Sequence, residues 1–285
     1  MTGTARFTLT ISDLDLNDAQ TLSDVIDRDI QLTSHAIAIN ETGEQRWELV
    51  AYFGSRTEAE IARAVTPQGS VIAGIPDKDW VRHSLEGLSP VSAGRFYLHG
   101  AHDRHRRRSG GVSLEIDAGT AFGTGHHGTT EGCLMALEAI VKKRHPKRIL
   151  DVGCGTGVLA IAAAKSARTR VLASDIDVEA VRVTKHNARI NHVAPFITAT
   201  MATGLKHPRI LAKSPYDLIF ANILARPLAS LSRGLSLILA PRGAIILSGL
   251  TRDQSRWIVS AYRNNGLALV NTIKRGNWVT LVLTR

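Results

Sequence analysis

The stretch Leu150-Asp151-Val152-Gly153-Cys154-Gly155-Thr156-Gly157 restricts the fold more than any other part of the chain. Arg148 to Val152 reads as a short buried strand and Gly157 to Lys165 as a helix, so the three alternate glycines lie at a strand-to-helix junction. Glycines there let the backbone turn sharply and approach a ligand, and the helix that follows offers free N–H groups. A dinucleotide fingerprint requires G-x-G-x-x-G, but here the sixth position is Val158, and the Gly-Lys-Ser/Thr of a P-loop is absent too. The loop is therefore built for a ligand gripped without a pyrophosphate.

Twenty residues after Gly155, at the end of the next strand (Val171 to Ser174), comes Asp175. A carboxylate at that point is placed to accept both hydroxyls of a ribose. Asp177 reads as the N-cap of the following helix, Val178 to Asn191. An adenosine held by ribose and loop, with no phosphate grip, points to S-adenosylmethionine. Further strands at Leu218 to Ala221 and Ala244 to Ser248 are each followed by helical spacing, and Leu267 to Ile273 with Trp278 to Leu283 form a terminal hairpin. Alternating strands and helices predict an α/β fold with a doubly wound, mostly parallel Rossmann-like sheet over residues 112–285.

The first 75 residues have a different pattern. Phe7 to Ile11, Leu16 to Ile26, His35 to Ile39, Trp47 to Tyr52, Glu58 to Ala64 and Val71 to Ile75 read in the order β-α-β-β-α-β, which predicts a small ferredoxin-like α+β domain over 1–75. Residues 76–111, with Pro76, Pro90 and one strand at Arg95 to His99, read as a connector. Charge divides in the same way. Residues 1–100 carry 8 Lys and Arg against 14 Asp and Glu, while residues 101–285 carry 27 against 11, within a net charge of +10. The acidic front suits a basic partner. The densest positive run, Arg104-His105-Arg106-Arg107-Arg108, reads either as a solvated loop or as a contact for RNA phosphate. With only Cys133 and Cys154 there is no disulfide scaffold or four-cysteine metal site, no apolar run is long enough to span a bilayer, and no secretory leader is read. The expected compartment is the cytoplasm.

A second motif lies upstream of the glycine loop: Ala121-Phe122-Gly123-Thr124-Gly125-His126-His127-Gly128-Thr129-Thr130. A third, Ala221-Asn222-Ile223-Leu224 with Pro227 shortly after, ends the strand that starts near Leu218. Together with the glycine loop these make the chain resemble the class I S-adenosylmethionine-dependent methyltransferases. More specifically, it is similar to the ribosomal protein L11 methyltransferases, which carry an A-F-G-T-G-x-H-x-T-T stretch. The resemblance implies a seven-stranded methyltransferase sheet, S-adenosylmethionine as cofactor, and methylation of lysine and/or N-terminal amines of that large-subunit protein. It also implies cofactor binding by Thr130, Gly153, Asp175 and Asn222, to which the loop geometry adds Gly155. Thr130 reads as a cap of the helix it begins, and Phe122 either packs on the cofactor or belongs to the core. Gly128 stands where many members have proline, which implies a looser loop.

Asn222 is also the expected catalytic residue, its amide oxygen orienting an incoming amine. Ile223-Leu224-Ala225 lacks the planar side chains that stack an amide or a base in other methyltransferases, which favours a flexible amine. The adjacent His126 and His127 have no carboxylate to complete a metal set, so no metal is expected. Two rival readings are a lysine methyltransferase of another protein, such as an electron-transfer flavoprotein, and an RNA-binding ribosome assembly factor with a vestigial cofactor fold. The assembly-factor reading rests on the 104–108 cluster, the candidate contact for ribosomal RNA.

Overall fold

The computed structural model describes residues 7–28, 36–43, 46–67, 69–74, 90–106, 110–116 and 128–285. The chain divides into two compact units, Met1–His83 and Ser84–Arg285.

In the first unit, β1 (Phe7–Leu14), α1 (Leu16–Arg28), β2 (Ala36–Gly43), β3 (Arg46–Phe53), α2 (Arg56–Arg63) and β4 (Val71–Gly74) follow one another. The strands form an antiparallel sheet in the order β2-β3-β1-β4, the ferredoxin-like arrangement expected from the sequence. Period-2 alternation puts Trp47, Leu49, Ala51 and Phe53 of β3 in the core with Leu9 and Ile11 of β1. Ala19 and Ile26 of α1 and Ala59 and Ala62 of α2 are buried with them. A capping box starts α2, in which Ser55 accepts from the Glu58 N–H and Glu58 accepts from the Ser55 N–H.

The second unit starts with β5 (Val91–Ala93), β6 (Phe96–His99) and β7 (Val112–Glu115), a three-stranded sheet in that order. The stretch 76–111, expected as a connector, thus contains two strands, and Phe96 and Leu98 enter the core of this unit. The second of these strands, β6, is the one expected at Arg95 to His99, whereas β5, directly after Pro90, was not expected. After α3 (Gly128–Lys143) come β8 (Ile149–Val152), α4 (Val158–Ala167), β9 (Val171–Asp175), α5 (Val178–Ile190), β10 (Ile197–Met201), α6 (Pro208–Ala212), β11 (Tyr216–Asn222), α7 (Ala225–Leu237), β12 (Leu239–Thr251), α8 (Arg252–Arg263), β13 (Ala268–Arg275) and β14 (Trp278–Thr284). They build one seven-stranded sheet in the order β10-β9-β8-β11-β12-β14-β13. Its first five strands are parallel, and β14 enters antiparallel between β12 and β13.

Strands covered on both faces carry apolar residues at consecutive positions. Successive residues of β11 alternate between two cores: Leu218 and Phe220 pack with α3, α4 and α5, whereas Ile219 and Ala221 pack with α7 and α8. In β12, Ala244 and Ile246 take the first side and Ile245 and Leu247 the second. Every strand of the parallel portion therefore ends with its carboxyl terminus on the same edge, where an open α/β sheet binds ligands.

Candidate functional site

The glycine loop is held from behind by β9 and from the side by α5. The amides of Gly153 and Cys154 both donate to the Ser174 carbonyl, at 2.8 and 3.0 Å. Thr184 donates to the Gly155 carbonyl at 2.9 Å, and buried Asn187 donates to the Thr156 carbonyl at 2.9 Å. These two α5 residues were missed in the sequence, where each looks like an ordinary helix position. Gly153, Gly155 and Gly157 all adopt positive φ, at 71°, 52° and 81°.

Gly153 also has no room for a side chain, because a Cβ would lie 2.3 Å from Ile223 Cγ2. That near-contact brings the loop after β8 against the loop after β11, so two of the three motifs meet at one place. Gly153→Ala combines this clash with a left-handed backbone and is expected to cost about 2 kcal/mol of stability, read as a lower midpoint in denaturant unfolding.

Asp175 ends β9 with its carboxylate turned to the loop: Oδ2 accepts from the Gly155 N–H at 2.8 Å and Oδ1 from the Asp177 N–H at 3.1 Å. The two amides fix its direction and leave further lone pairs for a ligand. Beside it, Ile176 is 68% exposed and Met201, which faces Asp175 in the β10–β9 register, is 58% exposed. Large apolar side chains left in water next to a carboxylate offer a face for a planar base beside an acceptor for its sugar. Neither residue was singled out in the sequence, where an apolar side chain carries no sign of this. Asp177 accepts from the Glu179 N–H and caps α5, as expected.

Asn222 ends β11, half-buried, and among the described residues its amide has no hydrogen-bond partner. It is not a helix cap, because the N-cap of α7 is Leu224, itself 72% exposed. Across the register from Asn222 lies Ser248, whose hydroxyl reaches the Thr129 carbonyl at 3.3 Å and Thr280 Oγ1 at 2.8 Å. The start of α3 is thereby tied to the neighbour of Asn222. Thr130 is 1% exposed in the first turn of a helix that begins at Gly128, so it sits inside the helix rather than at its cap. A Cβ at Gly128 would lie 2.8 Å from Arg275 Cβ, and the loop that precedes it lies outside the described residues. Phe122, His126 and His127 lie outside the described residues.

Under the loop, Asp151 shares the β8 face of Ile149 and is 1% exposed. Its Oδ2 accepts from the Ala160 N–H at 3.1 Å in the first turn of α4, and its Oδ1 has no partner. Burial raises its pKa to about 7, with the charge of Asp175 adding to the rise. Burial also pushes the Cys133 thiol up to about 12 and Cys154 well above the usual range, so both stay thiols. Cys154, 6% exposed and against Thr184 at 3.3 Å, is a packing residue. No group of metal-binding side chains occurs among the described residues, and no helix among them is long and apolar enough to cross a membrane. Of the basic cluster, Arg104 is paired with buried Glu115, while residues 107–109 lie outside the described residues.

The fold and this edge of the sheet suit S-adenosylmethionine: a loop turned by three glycines at positive φ, a directed carboxylate for ribose and an apolar face beside it, without a pyrophosphate grip. The sheet order and the site together define a Rossmann-like, S-adenosylmethionine-dependent methyltransferase. The family model described as Ribosomal protein L11 methyltransferase (PrmA) matches residues 6–285. A ribosomal protein L11 methyltransferase of Rhodopseudomonas palustris is 44% identical over 275 residues, covering 94% of this chain and 93% of the relative. One from Mesorhizobium japonicum is 52% identical over 209 residues, covering 73% and 72%. The crystal structure of a ribosomal protein L11 methylase from Lactobacillus delbrueckii superposes with a TM-score of 0.61 at 28% identity, covering 70% of this chain and 99% of that one. This chain belongs to the ribosomal protein L11 methyltransferase family.

Proposed function

We propose that this protein methylates lysine side-chain and/or N-terminal amines of ribosomal protein L11 in the cytoplasm. The observation that carries the amine is the amide of Asn222, without a hydrogen-bond partner among the described residues, beside the flexible aliphatic side chains Ile223 and Leu224. S-adenosylmethionine, when bound, supplies an electrophilic methyl group on a sulfonium. Gly153 and Gly155 let the backbone approach it, Asp175 accepts its ribose hydroxyls, and the α3 turn at Thr130 closes the methionine end. Phe122 belongs to the stretch leading into that turn and is the remaining candidate for covering the pocket.

Asn222 Oδ1 accepts an N–H of the incoming amine and so aims the nitrogen lone pair. An acceptor lysine, with a reference pKa of about 10.4, must first lose a proton. Desolvation beside the half-buried Ile223 and against the positive sulfonium favours that loss. Orientation of this kind is a large share of what a direct displacement requires. Asn222→Ala is expected to lower kcat about 100-fold while moving the Kd for S-adenosylmethionine by less, as read by single-turnover methylation and calorimetry. Equal losses in both would reduce Asn222 to a cofactor contact.

The acidic first unit holds the basic substrate and raises the local concentration of its several amines. Deleting residues 1–83 is expected to abolish methylation of L11 and leave S-adenosylmethionine binding in place. A truncated protein that methylates L11 at the full-length rate would remove the first unit from substrate recognition.

A further inference from the structure

Between α5, the 3-10 turn Ala194–Phe196 and β10 lies a cleft of about 330 Å³, lined by Lys185, Ala188, Arg189, Ile197, Thr198 and Arg209 among others. Three cations rim it, all exposed and without an ion-pair partner among the described residues. The surroundings reinforce the charge. Residues 180–216 contain six Lys and Arg, three His and no Asp or Glu. Lys185 and Arg189 stand one helical turn apart, about 6 Å along α5, and Arg209 approaches from α6. Phe196, next in sequence to the lining residue Ile197 and not itself part of the lining, is 38% exposed at the margin of the cleft.

We propose that this cleft binds single-stranded RNA, with Lys185, Arg189 and Arg209 on the phosphates and Phe196 as a stacking face for a base. Cations along a groove with an interleaved aromatic are the two elements of sequence-tolerant single-strand binding. An acidic peptide would use the cations but leave the exposed ring without a role. Pairing of a peptide strand with β10 is also hindered, since Thr200 Oγ1 and His207 Nε2 are 3.2 Å apart and hold the segment that carries Arg209 against that strand. Arg189 lies twelve residues along α5 from Asp177, about 18 Å, so the cleft is separate from the methyl-transfer site. In the 104–108 cluster Arg104 is engaged with Glu115, and residues 107–109 lie outside the described residues.

The test is fluorescence anisotropy with a labelled oligouridylate of about twelve nucleotides, titrated at several salt concentrations. Lys185→Gln/Arg189→Gln/Arg209→Gln is compared with a variant that removes the same charge elsewhere, Arg233→Gln/Arg256→Gln/Arg263→Gln. Loss of three phosphate contacts is expected to reduce the slope of log K against log salt by about 2 and the affinity by about tenfold or more, whereas the control changes both little. Phe196→Ala, which alters no charge, is expected to lose about tenfold in affinity at an unchanged slope. Calorimetry with S-adenosylmethionine checks that each variant is folded. Equal losses in the cleft variant and the charge-matched control would overturn the proposal. So would wild-type affinity in Phe196→Ala with equal competition by polyglutamate, which would assign the cleft to an acidic peptide.

Discussion

Asp175→Ala is expected to weaken S-adenosylmethionine binding by about 100-fold or more, because charge-assisted hydrogen bonds to two ribose hydroxyls are worth about 1.5–3 kcal/mol each. The carboxylate also organises the site before any ligand arrives, accepting from the amides of Gly155 and Asp177. Its removal therefore frees the loop as well as the ribose contact. Asp175→Asn keeps an acceptor oxygen at nearly the same place and is expected to lose less. Isothermal titration of the three proteins reads the order directly. A Kd for Asp175→Ala within threefold of wild type would move the ribose away from β9.

The second large effect is on stability. Asp151 has a pKa of about 7 in the folded chain against an ordinary value of 3.8, chiefly because it is buried. Between those values the unfolded chain has lost the proton and the folded chain keeps it, so the folded state binds more protons and stability falls as pH rises. Linkage converts about three pH units into a loss of about 4 kcal/mol between pH 4 and 7, with a plateau above. Asp151→Asn preserves an acceptor for the Ala160 N–H and does not titrate. Its denaturant-unfolding stability is expected to fall less than that of wild type over this range, and the difference between the two curves isolates Asp151. Parallel curves would mean that Asp151 ionises in the folded protein at an ordinary pH.

The fold was legible where local pattern and tertiary structure agree. The spacing of Gly153, Gly155 and Gly157, the strand–helix alternation behind it and Asp175 twenty residues on are short-range signals, and they converge at the sheet edge. The β-α-β-β-α-β order likewise implied the sheet of the first unit. What stayed hidden depends on distant partners. Thr184 and Asn187 hold the glycine loop from across a helix. The strand at Arg95 to His99 was expected, but its neighbours β5 and β7, which make it part of a small sheet, were not. Glu115 takes up Arg104 from the basic cluster, which composition alone presented as free charge. Ile176 and Met201 carry no sequence signal, and only the sheet places them at its open edge beside Asp175. Thr130 reads as a cap because Ser and Thr favour that position, but the helix starts two residues earlier and buries it.

The most direct test of the account is intact-mass analysis of purified ribosomal protein L11 after incubation with this protein and S-adenosylmethionine, followed by peptide mapping. Whole-methyl mass increments on lysine or N-terminal amines are expected, strongly reduced with Asn222→Ala. Unmodified L11 in the presence of a chain that binds S-adenosylmethionine would contradict it.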